Sequence, residues 1–174
     1  GDSKAEMTAR QIYAINPYAR IELFTDGLSN KNIGKFFKNL DIVIDEMDNI
    51  AMKLRLREFS KKFKIPLVTA ADEGDSGVIA IERYDLSPKT QPFEGRLSKL
   101  SYYDALKADN ETIGKIIIKM IGPQNIPTPM QYSLSRIGKE IVSWPQLGGT
   151  ALLNGAAIAY VLRRILNKEP VKKH

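Results

Sequence analysis

The sequence has 174 residues, of which 43% are hydrophobic and 26% are charged, a composition typical of one folded domain with a hydrophobic core. It argues against intrinsic disorder, and no apolar run approaches the roughly 20 residues that a membrane-spanning helix requires. The absence of cysteine excludes disulfides, thiolate zinc sites and a cysteine nucleophile. Because the chain starts with Gly-Asp-Ser-Lys and shows no apolar leader before a cleavage site, we expect a cytoplasmic protein with no membrane association.

The net charge of +6 raises the question of nucleic-acid binding. The basic residues are dispersed along the chain, and aromatic residues do not alternate with them. Two local clusters occur, at Lys61, Lys62 and Lys64 and at Lys168, Lys172 and Lys173. We interpret these lysines as solvated surface groups rather than as a nucleic-acid footprint. The only histidine, His174, lies at the terminus, where we do not expect a general base.

The first predicted element is an amphipathic helix. Ser3 and Glu6 have the spacing of a capping box, in which the two side chains satisfy free N–H groups at the start of a helix. The helix is predicted to begin at Lys4, with apolar or small residues recurring at a helical period. It is predicted to end at Asn16-Pro17, because the residue before a proline avoids helical backbone angles.

Strands and helices alternate through the first half of the chain. The strands are predicted at residues 21–25, 41–45, 65–71 and 77–84, and the helices between them at residues 30–39 and 50–63. Unbroken apolar runs in two of these strands are typical of parallel strands covered on both faces. The alternation implies right-handed crossovers and predicts an α/β fold, with a Rossmann-like, mainly parallel sheet and flanking helices. Ligand chemistry is then expected at the carboxyl ends of the strands.

The pattern changes beyond Asp85, where prolines interrupt the chain and only residues 110–121 clearly predict a helix. A long, largely apolar helix is predicted at residues 147–166. Gly148, Gly149 and Gly155 lie within it and would permit another backbone to approach closely. We expect one compact domain, divided into a Rossmann-like unit at 1–85, a crossover or insertion at 86–143, and a long helix with its tail at 144–174.

The segment Asp41–Asn49 concentrates carboxylates where a buried parallel strand leads into the next helix. An aspartate there can hold Mg²⁺ on the phosphates of a nucleotide, because a hard cation prefers oxygen ligands. Asp48 or Asn49 can instead cap the following helix by accepting hydrogen bonds from its free N–H groups. The spacing alone favours capping, and the two roles are compatible.

Two further segments leave alternatives open. Ala71–Gly77 is acidic and contains glycine, so it either lines a substrate groove near Asp48 or turns the chain between two strands; the pattern favours the turn. Trp144, in the segment before the final helix, either shapes a partner-binding surface or packs in the core. Core packing is the preferred interpretation, because single tryptophans are mostly buried.

Four short motifs follow one another within roughly residues 3–84. They are Lys4-Ala5-Glu6, Ile15-Asn16-Pro17, Asp41-Ile-Val-Ile-Asp with Asp48-Asn49, and Ile65-Pro66-Leu67-Val68. In order and spacing this string resembles the corresponding segments of ThiF, MoeB and ubiquitin-activating enzymes. The combined string is far more specific than any one motif. The resemblance implies a partial ThiF-type domain that lacks the N-terminal glycine-rich loop.

The resemblance also implies a reaction, in which ATP and Mg²⁺ adenylate the C-terminal carboxylate of a partner protein and release pyrophosphate. Asp48 would be the catalytic and metal-binding residue, with Asn49 beside it in the nucleotide site. Lys4 would contact the nucleotide phosphates; a cation in the first turn of a helix opposes the macrodipole and suggests such a role. Leu28 would meet the adenine ring through its backbone.

The same resemblance implies partners and exclusions. The expected partner is a ubiquitin-like or sulfur-carrier protein, with tRNA as a weaker expectation, and a homodimer is expected. The family's glycine-rich phosphate loop, ribose-binding acid and arginine would precede Lys4, so we expect a fragment or a degenerate relative that cannot complete the reaction alone. Because there is no cysteine, the thioester nucleophile and the zinc site of many relatives are not expected.

Two other functions compete with adenylation. The chain could be a catalytically incomplete binding or dimerisation module with the same fold. A dinucleotide-dependent dehydrogenase is a weaker alternative, because the sequence offers no catalytic histidine, tyrosine-lysine pair or glycine fingerprint.

Overall fold

The computed structural model describes residues 2–171, so His174 lies outside the described residues. The chain divides into two compact units, Gly1–Lys38 and Asn39–His174. The helices are α1 (Lys4–Ile15), α2 (Ile33–Phe36), α3 (Ile50–Phe63), α4 (Tyr102–Lys107), α5 (Asn110–Ile121), α6 (Thr128–Leu134) and α7 (Gly148–Leu166), and the strands are β1 (Val43–Asp45), β2 (Leu67–Glu73) and β3 (Ser76–Glu82). None of the helices in residues 2–171 has both the length and the hydropathy needed to cross a membrane.

In the first unit, α1 begins at Lys4 and ends before Asn16, as predicted. The predicted capping box is wrong, because the side chain of Ser3 makes no capping hydrogen bond. The backbone starts the helix instead, since the Met7 N–H donates to the Ser3 carbonyl at 3.0 Å.

The predicted strand at residues 21–25 is also wrong, because this segment has no strand structure. A strand is stabilised by hydrogen bonds to a neighbouring strand, and none is formed within the described residues of this unit. The apolar side chains of the segment serve local packing, with the ring of Phe24 lying edge-on to that of Phe36 at 5.7 Å. The helix predicted at residues 30–39 is reduced to the single turn of α2.

The second unit confirms the α/β class. Its sheet has the order β1-β2-β3, with β1 and β2 parallel and connected through α3. β2 and β3 are antiparallel, which makes the sheet mixed rather than mainly parallel. The antiparallel pair arises from a two-residue turn at Gly74-Asp75, where Gly74 has a φ of 65° that suits glycine.

The helix α7 covers one face of this sheet. Ile158, Val161 and Ile165 pack with Val68 in a buried cluster. At the turn end of the hairpin, the Asn154 amide donates to the Ala71 carbonyl at 3.2 Å and to Asp72. A Cβ on Gly77 would lie 2.1 Å from the Asn154 Oδ1, so a larger residue there would displace the Asn154 side chain from its contacts with the hairpin.

The glycines of α7 make no close approach to another backbone within the described residues, and an interface with another chain stays a prediction. A Cβ on Gly148, Gly149 or Gly155 would meet no described atom within 4 Å. These glycines lie on the exposed side of the helix, which also carries apolar side chains, including Leu152 and Leu153. The close contact between α7 and the sheet is made at Gly77, because the Asn154 side chain projects from α7 toward the hairpin.

The helix α3 covers the other face, because successive residues of a strand point to opposite sides of the sheet. Val68 packs on the α7 side, whereas the neighbouring Thr69 receives the Lys53 Nζ of α3 at 3.4 Å. Lys53 and Arg57 are four residues apart, so both side chains project from the same face of the helix. Both are buried.

Arg57 is held between two buried carboxylates. Its Nη1 donates to Asp45 Oδ2 at 2.7 Å, and its Nε donates to Glu82 Oε1 at 3.0 Å. Tyr84 donates to the other oxygen of Glu82 at 2.8 Å, and the guanidinium lies 3.7 Å from the centre of the Phe93 ring. Burial and this hydrogen bond to Glu82 raise the pKa of Tyr84, which therefore acts as a donor. Arg57 thus connects β1 to β3 across the face of β2 that α3 covers.

The C-terminal half contains more helix than the sequence indicated. The predicted helix at residues 110–121 is confirmed as α5, and the long helix begins one residue later than predicted. The helices α4 and α6 were not predicted. The division of the chain at residues 85 and 143 stays a prediction.

Replacing Arg57 with methionine should lower the free energy of unfolding by about 3–5 kcal/mol, because the change leaves Asp45 and Glu82 buried without their cation. Urea unfolding followed by circular dichroism measures this change. Lys62→Met, at an exposed position on the same helix, is the matched control and should change stability by less than about 0.5 kcal/mol. Equal stabilities for the two variants would contradict the role of Arg57.

Candidate functional site

The loop between β1 and α3 is fixed at both ends. At its start, the Met47 N–H donates to Asp45 Oδ1 at 3.2 Å, and the same oxygen receives Lys53 Nζ at 3.3 Å. At its end, Asn49 caps α3 by accepting the Met52 N–H at 2.9 Å. Asp48 lies between these two anchors and is exposed. These contacts therefore fix the backbone on either side of Asp48.

The structure distinguishes the two roles considered for Asp48 and Asn49, which are capping of α3 and ligand binding. Asn49 is the N-cap of α3, as the spacing favoured. Asp48 precedes the cap at the carboxyl end of a parallel strand, which is the position expected for a ligand-binding carboxylate. Capping by Asn49 therefore leaves Asp48 available for another role.

Lys4 and Leu28 belong to the first unit. Lys4 is the exposed first residue of α1. Leu28 is half-buried in a loop braced by Asn32, whose side chain donates to the Gly27 carbonyl at 2.8 Å and accepts the Ser29 N–H at 2.7 Å. The structure brings Asp48 and Asn49 together on one loop, and a shared site with Lys4 and Leu28 stays a prediction.

A groove of about 310 Å³ lies beside Asp48. Polar and aromatic side chains lining it are Glu46, Asp48, Lys53, Asp72, Glu73, Trp144 and Gln146. Gly74-Asp75 turns the chain, which confirms the favoured interpretation of Ala71–Gly77, while Asp72 and Glu73 also line the groove, whose role in substrate binding stays a prediction. Trp144 was expected in the core, but it is only half-buried and lines the same groove.

Glu73 is the most perturbed acid of the groove. It is 2% exposed, and burial raises its pKa to about 7, with the neighbouring Asp72 acting in the same direction. Its Oε2 accepts no hydrogen bond from any residue in the described range 2–171. A carboxyl group in this setting carries a fractional charge near neutral pH.

Glu46 closes the free edge of β2. Its Oε1 accepts the Ala70 N–H at 2.9 Å, one residue beyond the last residue of β2 that pairs with β1. Desolvation raises the pKa of Glu46, and Asp45 and Asp72 add to this effect, while the Ala70 N–H and Lys53 oppose it. The groove therefore contains two acids that ionise less readily than usual.

The described residues of the groove do not provide a complete set of protein ligands for a divalent cation. Among the described residues, no group of three or more histidine, cysteine, aspartate or glutamate side chains is arranged to hold a metal ion. Mg²⁺ typically uses one or two carboxylates and takes its other ligands from water and substrate phosphates. The exposed carboxylate of Asp48 fits that pattern.

The comparison with known proteins decides the family. The sequence model of the ThiF family matches residues 1–125, more than half of the chain. The chain belongs to the ThiF family. This confirms the resemblance carried by the four motifs.

Three relatives illustrate the range of proteins that the chain resembles. The uncharacterized protein MT1398 of Mycobacterium tuberculosis is 28% identical over 172 residues, covering 99% of this chain and 24% of that protein. The tRNA threonylcarbamoyladenosine dehydratase of Escherichia coli is 33% identical over 75 residues, covering 42% of this chain and 28% of the enzyme. The molybdopterin-synthase adenylyltransferase of Haemophilus influenzae is 25% identical over 119 residues, covering 68% and 48%. The chain thus spans between about a quarter and a half of the length of these relatives.

Sequence reasoning missed one feature of this candidate site and ranked another second. The buried pairing of Arg57 with Asp45 and Glu82 joins residues 12 and 25 positions apart. The sequence feature that points to this pairing is the spacing of Lys53 and Arg57, which lie four residues apart among the apolar positions of α3. The groove position of Glu73 was one of two interpretations of Ala71–Gly77, and it was ranked second because an acid beside glycine is also typical of a turn.

Glu73→Gln should change how stability depends on pH. A carboxyl whose pKa rises from 4.5 to about 7 on folding stabilises the native state below pH 4.5 and loses that contribution as pH rises toward 7. The free energy of unfolding of Glu73→Gln relative to the unmodified chain should therefore increase between pH 5 and pH 8. The increase has an upper bound of about 3 kcal/mol, at about 1.4 kcal/mol for each pKa unit.

Urea unfolding at pH 5, 6, 7 and 8 measures this difference. Glu6→Gln, at an exposed position on α1, is the control and should show a constant difference across the same range. A pH-independent difference for Glu73→Gln would show that Glu73 titrates normally.

Proposed function

We propose that this chain is part of an ATP-dependent adenylating enzyme of the ThiF type. The reaction would join the carboxylate of a partner to the α-phosphate of ATP, forming an acyl-adenylate and releasing pyrophosphate. The observation that carries the proposal is the exposed Asp48 carboxylate, held between Met47 and Asn49 at the carboxyl end of β1. The similarity to a molybdopterin-synthase adenylyltransferase supports the same reaction class.

Asp48 is the proposed catalytic and metal-binding residue. Bound Mg²⁺ would neutralise phosphate charge, which the acidic groove otherwise repels. The carboxylate offers a hard oxygen ligand, and the loop that carries it is anchored by hydrogen bonds on both sides of Asp48. Asn49 contributes by capping α3, which holds the loop in place.

The remaining nucleotide contacts are part of the proposal. Lys4 would place a positive charge on the phosphates, and Leu28 would present its backbone to the adenine ring. The bracing of the Leu28 loop by Asn32 supports a role that depends on backbone position.

The proposed partner is a ubiquitin-like or sulfur-carrier protein. The tRNA substrate class is a weaker proposal, motivated by the similarity to a tRNA-modifying dehydratase. We also propose a homodimer in the cytoplasm, with the exposed apolar side chains of Leu152, Leu153 and Tyr160 on α7 as the supporting feature.

Asp48→Asn should reduce ATP–pyrophosphate exchange at least about a hundredfold, because the amide keeps the shape of the side chain but loses its charge. The assay uses the intact gene product with Mg²⁺ and each candidate carrier protein. Asp41→Asn is the matched control, since Asp41 is an exposed aspartate that precedes β1 and lines a different groove. Its exchange rate should stay within about twofold of the unmodified protein.

The possible results separate the two leading functions. Full exchange by Asp48→Asn would contradict the role of Asp48. An intact protein that binds a carrier but shows no exchange would favour the catalytically incomplete binding module.

A further inference from the structure

The groove beside Asp48 has an excess of negative groups. Four carboxyl groups line it, from Glu46, Asp48, Asp72 and Glu73. The one cation among the lining residues, Lys53, is buried and directed at Asp45 Oδ1 at 3.3 Å and Thr69 Oγ1 at 3.4 Å. The excess of carboxyl groups over cations in the groove therefore favours a positively charged ligand.

One of these acids also lacks a hydrogen-bond donor. Glu73 is 98% buried, and its Oε2 has no partner within residues 2–171. A buried acceptor without a donor costs free energy that a ligand N–H can recover. Glu73 is among the residues that line the groove and its Oε2 is enclosed, so a donor that enters the groove can supply this hydrogen bond if the carboxyl group rotates toward it.

The other lining residues suit a planar cation, such as a guanidinium, that is carried by methylene groups. Trp144 is half-buried and offers an indole ring, against which a guanidinium can stack. Ile117 and Met120 of α5 provide apolar surface for the methylene groups. The volume of about 310 Å³ lies at the lower limit of typical small-ligand sites and suits one side chain rather than a whole nucleotide.

We propose that this groove binds an arginine side chain of a polypeptide partner. The guanidinium would donate to Glu73 Oε2 and stack on Trp144, with Asp72 and Glu46 adding to the attraction. Arginine is favoured over lysine because its planar group can stack and donate two hydrogen bonds at once. The inference rests on the proposed function only in identifying the partner as the protein that is adenylated.

The groups facing Glu73 define the expected pH dependence. They are Asp72 on the same strand, Glu46 and Asp48 on the β1–α3 loop and Lys53 on α3, whereas the lining residues of α5 and of the segment at residues 144–146 carry no charge. Ionised Glu73 binds the cation and protonated Glu73 does not. Affinity should therefore rise about tenfold from pH 6 to pH 8, as the ionised fraction of a group with a pKa of about 7 rises.

Trp144 makes the test direct, because it is the only tryptophan of the chain. The peptide Gly-Arg-Gly is titrated at pH 8, without nucleotide, while tryptophan fluorescence is recorded. Gly-citrulline-Gly, which has the same shape without the charge, is the ligand control. We expect a saturable fluorescence change with the arginine peptide and at least tenfold weaker binding of the citrulline peptide.

Glu73→Gln should weaken binding of the arginine peptide at least tenfold and remove its pH dependence, while Glu6→Gln leaves both unchanged. Trp144→Leu, measured by calorimetry, provides a second variant at a half-exposed position and should weaken binding several-fold. Equal affinity for the two peptides, an unchanged affinity in Glu73→Gln, or no fluorescence change at saturating peptide would each overturn the proposal.

The peptide-binding test and the exchange assay test the arginine site and the proposed enzyme separately. Peptide binding without ATP–pyrophosphate exchange in the intact protein would contradict the proposed enzyme and leave the arginine site standing. Exchange without peptide binding would overturn the arginine site alone.

Discussion

The structure of the second unit depends on Arg57. Its guanidinium joins Asp45 at the end of β1 to Glu82 at the end of β3, two strands that are not neighbours in the sheet. A buried ion pair contributes little net stability compared with apolar packing, but breaking one is costly because it leaves an uncompensated charge. The network therefore acts mainly as a constraint on geometry. It fixes the position of α3 against the sheet and, through the second oxygen of Asp45, the start of the loop that carries Asp48.

The same constraint shapes the electrostatics of the groove. Because Lys53 is directed at Asp45 and Thr69, its charge offsets only part of the negative charge of the groove, and it opposes the raised pKa of Glu46 without cancelling it. Glu73 is left buried beside Asp72 with a pKa near 7. Buried acids with raised pKa values are more frequent at functional sites than at structural ones. The site thus combines one exposed carboxylate, suited to a hard cation, with one buried acid, suited to a hydrogen-bond donor.

The elements that the sequence predicted best are those specified by local patterns. The helix α3 was predicted at its observed bounds, since Asn49 provides a cap and apolar residues continue to Phe63. The capping box at Ser3 and the strand at residues 21–25 failed because their patterns are local but their hydrogen bonds depend on surroundings. Asp48 was predicted on the correct loop, whereas Glu73 and Trp144 reach the groove only through folding, from positions 25 and 96 residues further along the chain. No local pattern can specify such contacts.

The central claim is that the charge of Asp48 binds a nucleotide through a divalent cation. Thermal unfolding of the intact protein with ATP and Mg²⁺, and with ATP and a chelator, tests it most directly, because a ligand that binds only the native state raises the Tm. Saturating ATP and Mg²⁺ should raise the Tm by several degrees. The shift should disappear with the chelator and in Asp48→Asn, but persist in Asp41→Asn. An equal shift in Asp48→Asn, or one that does not require Mg²⁺, would contradict the account.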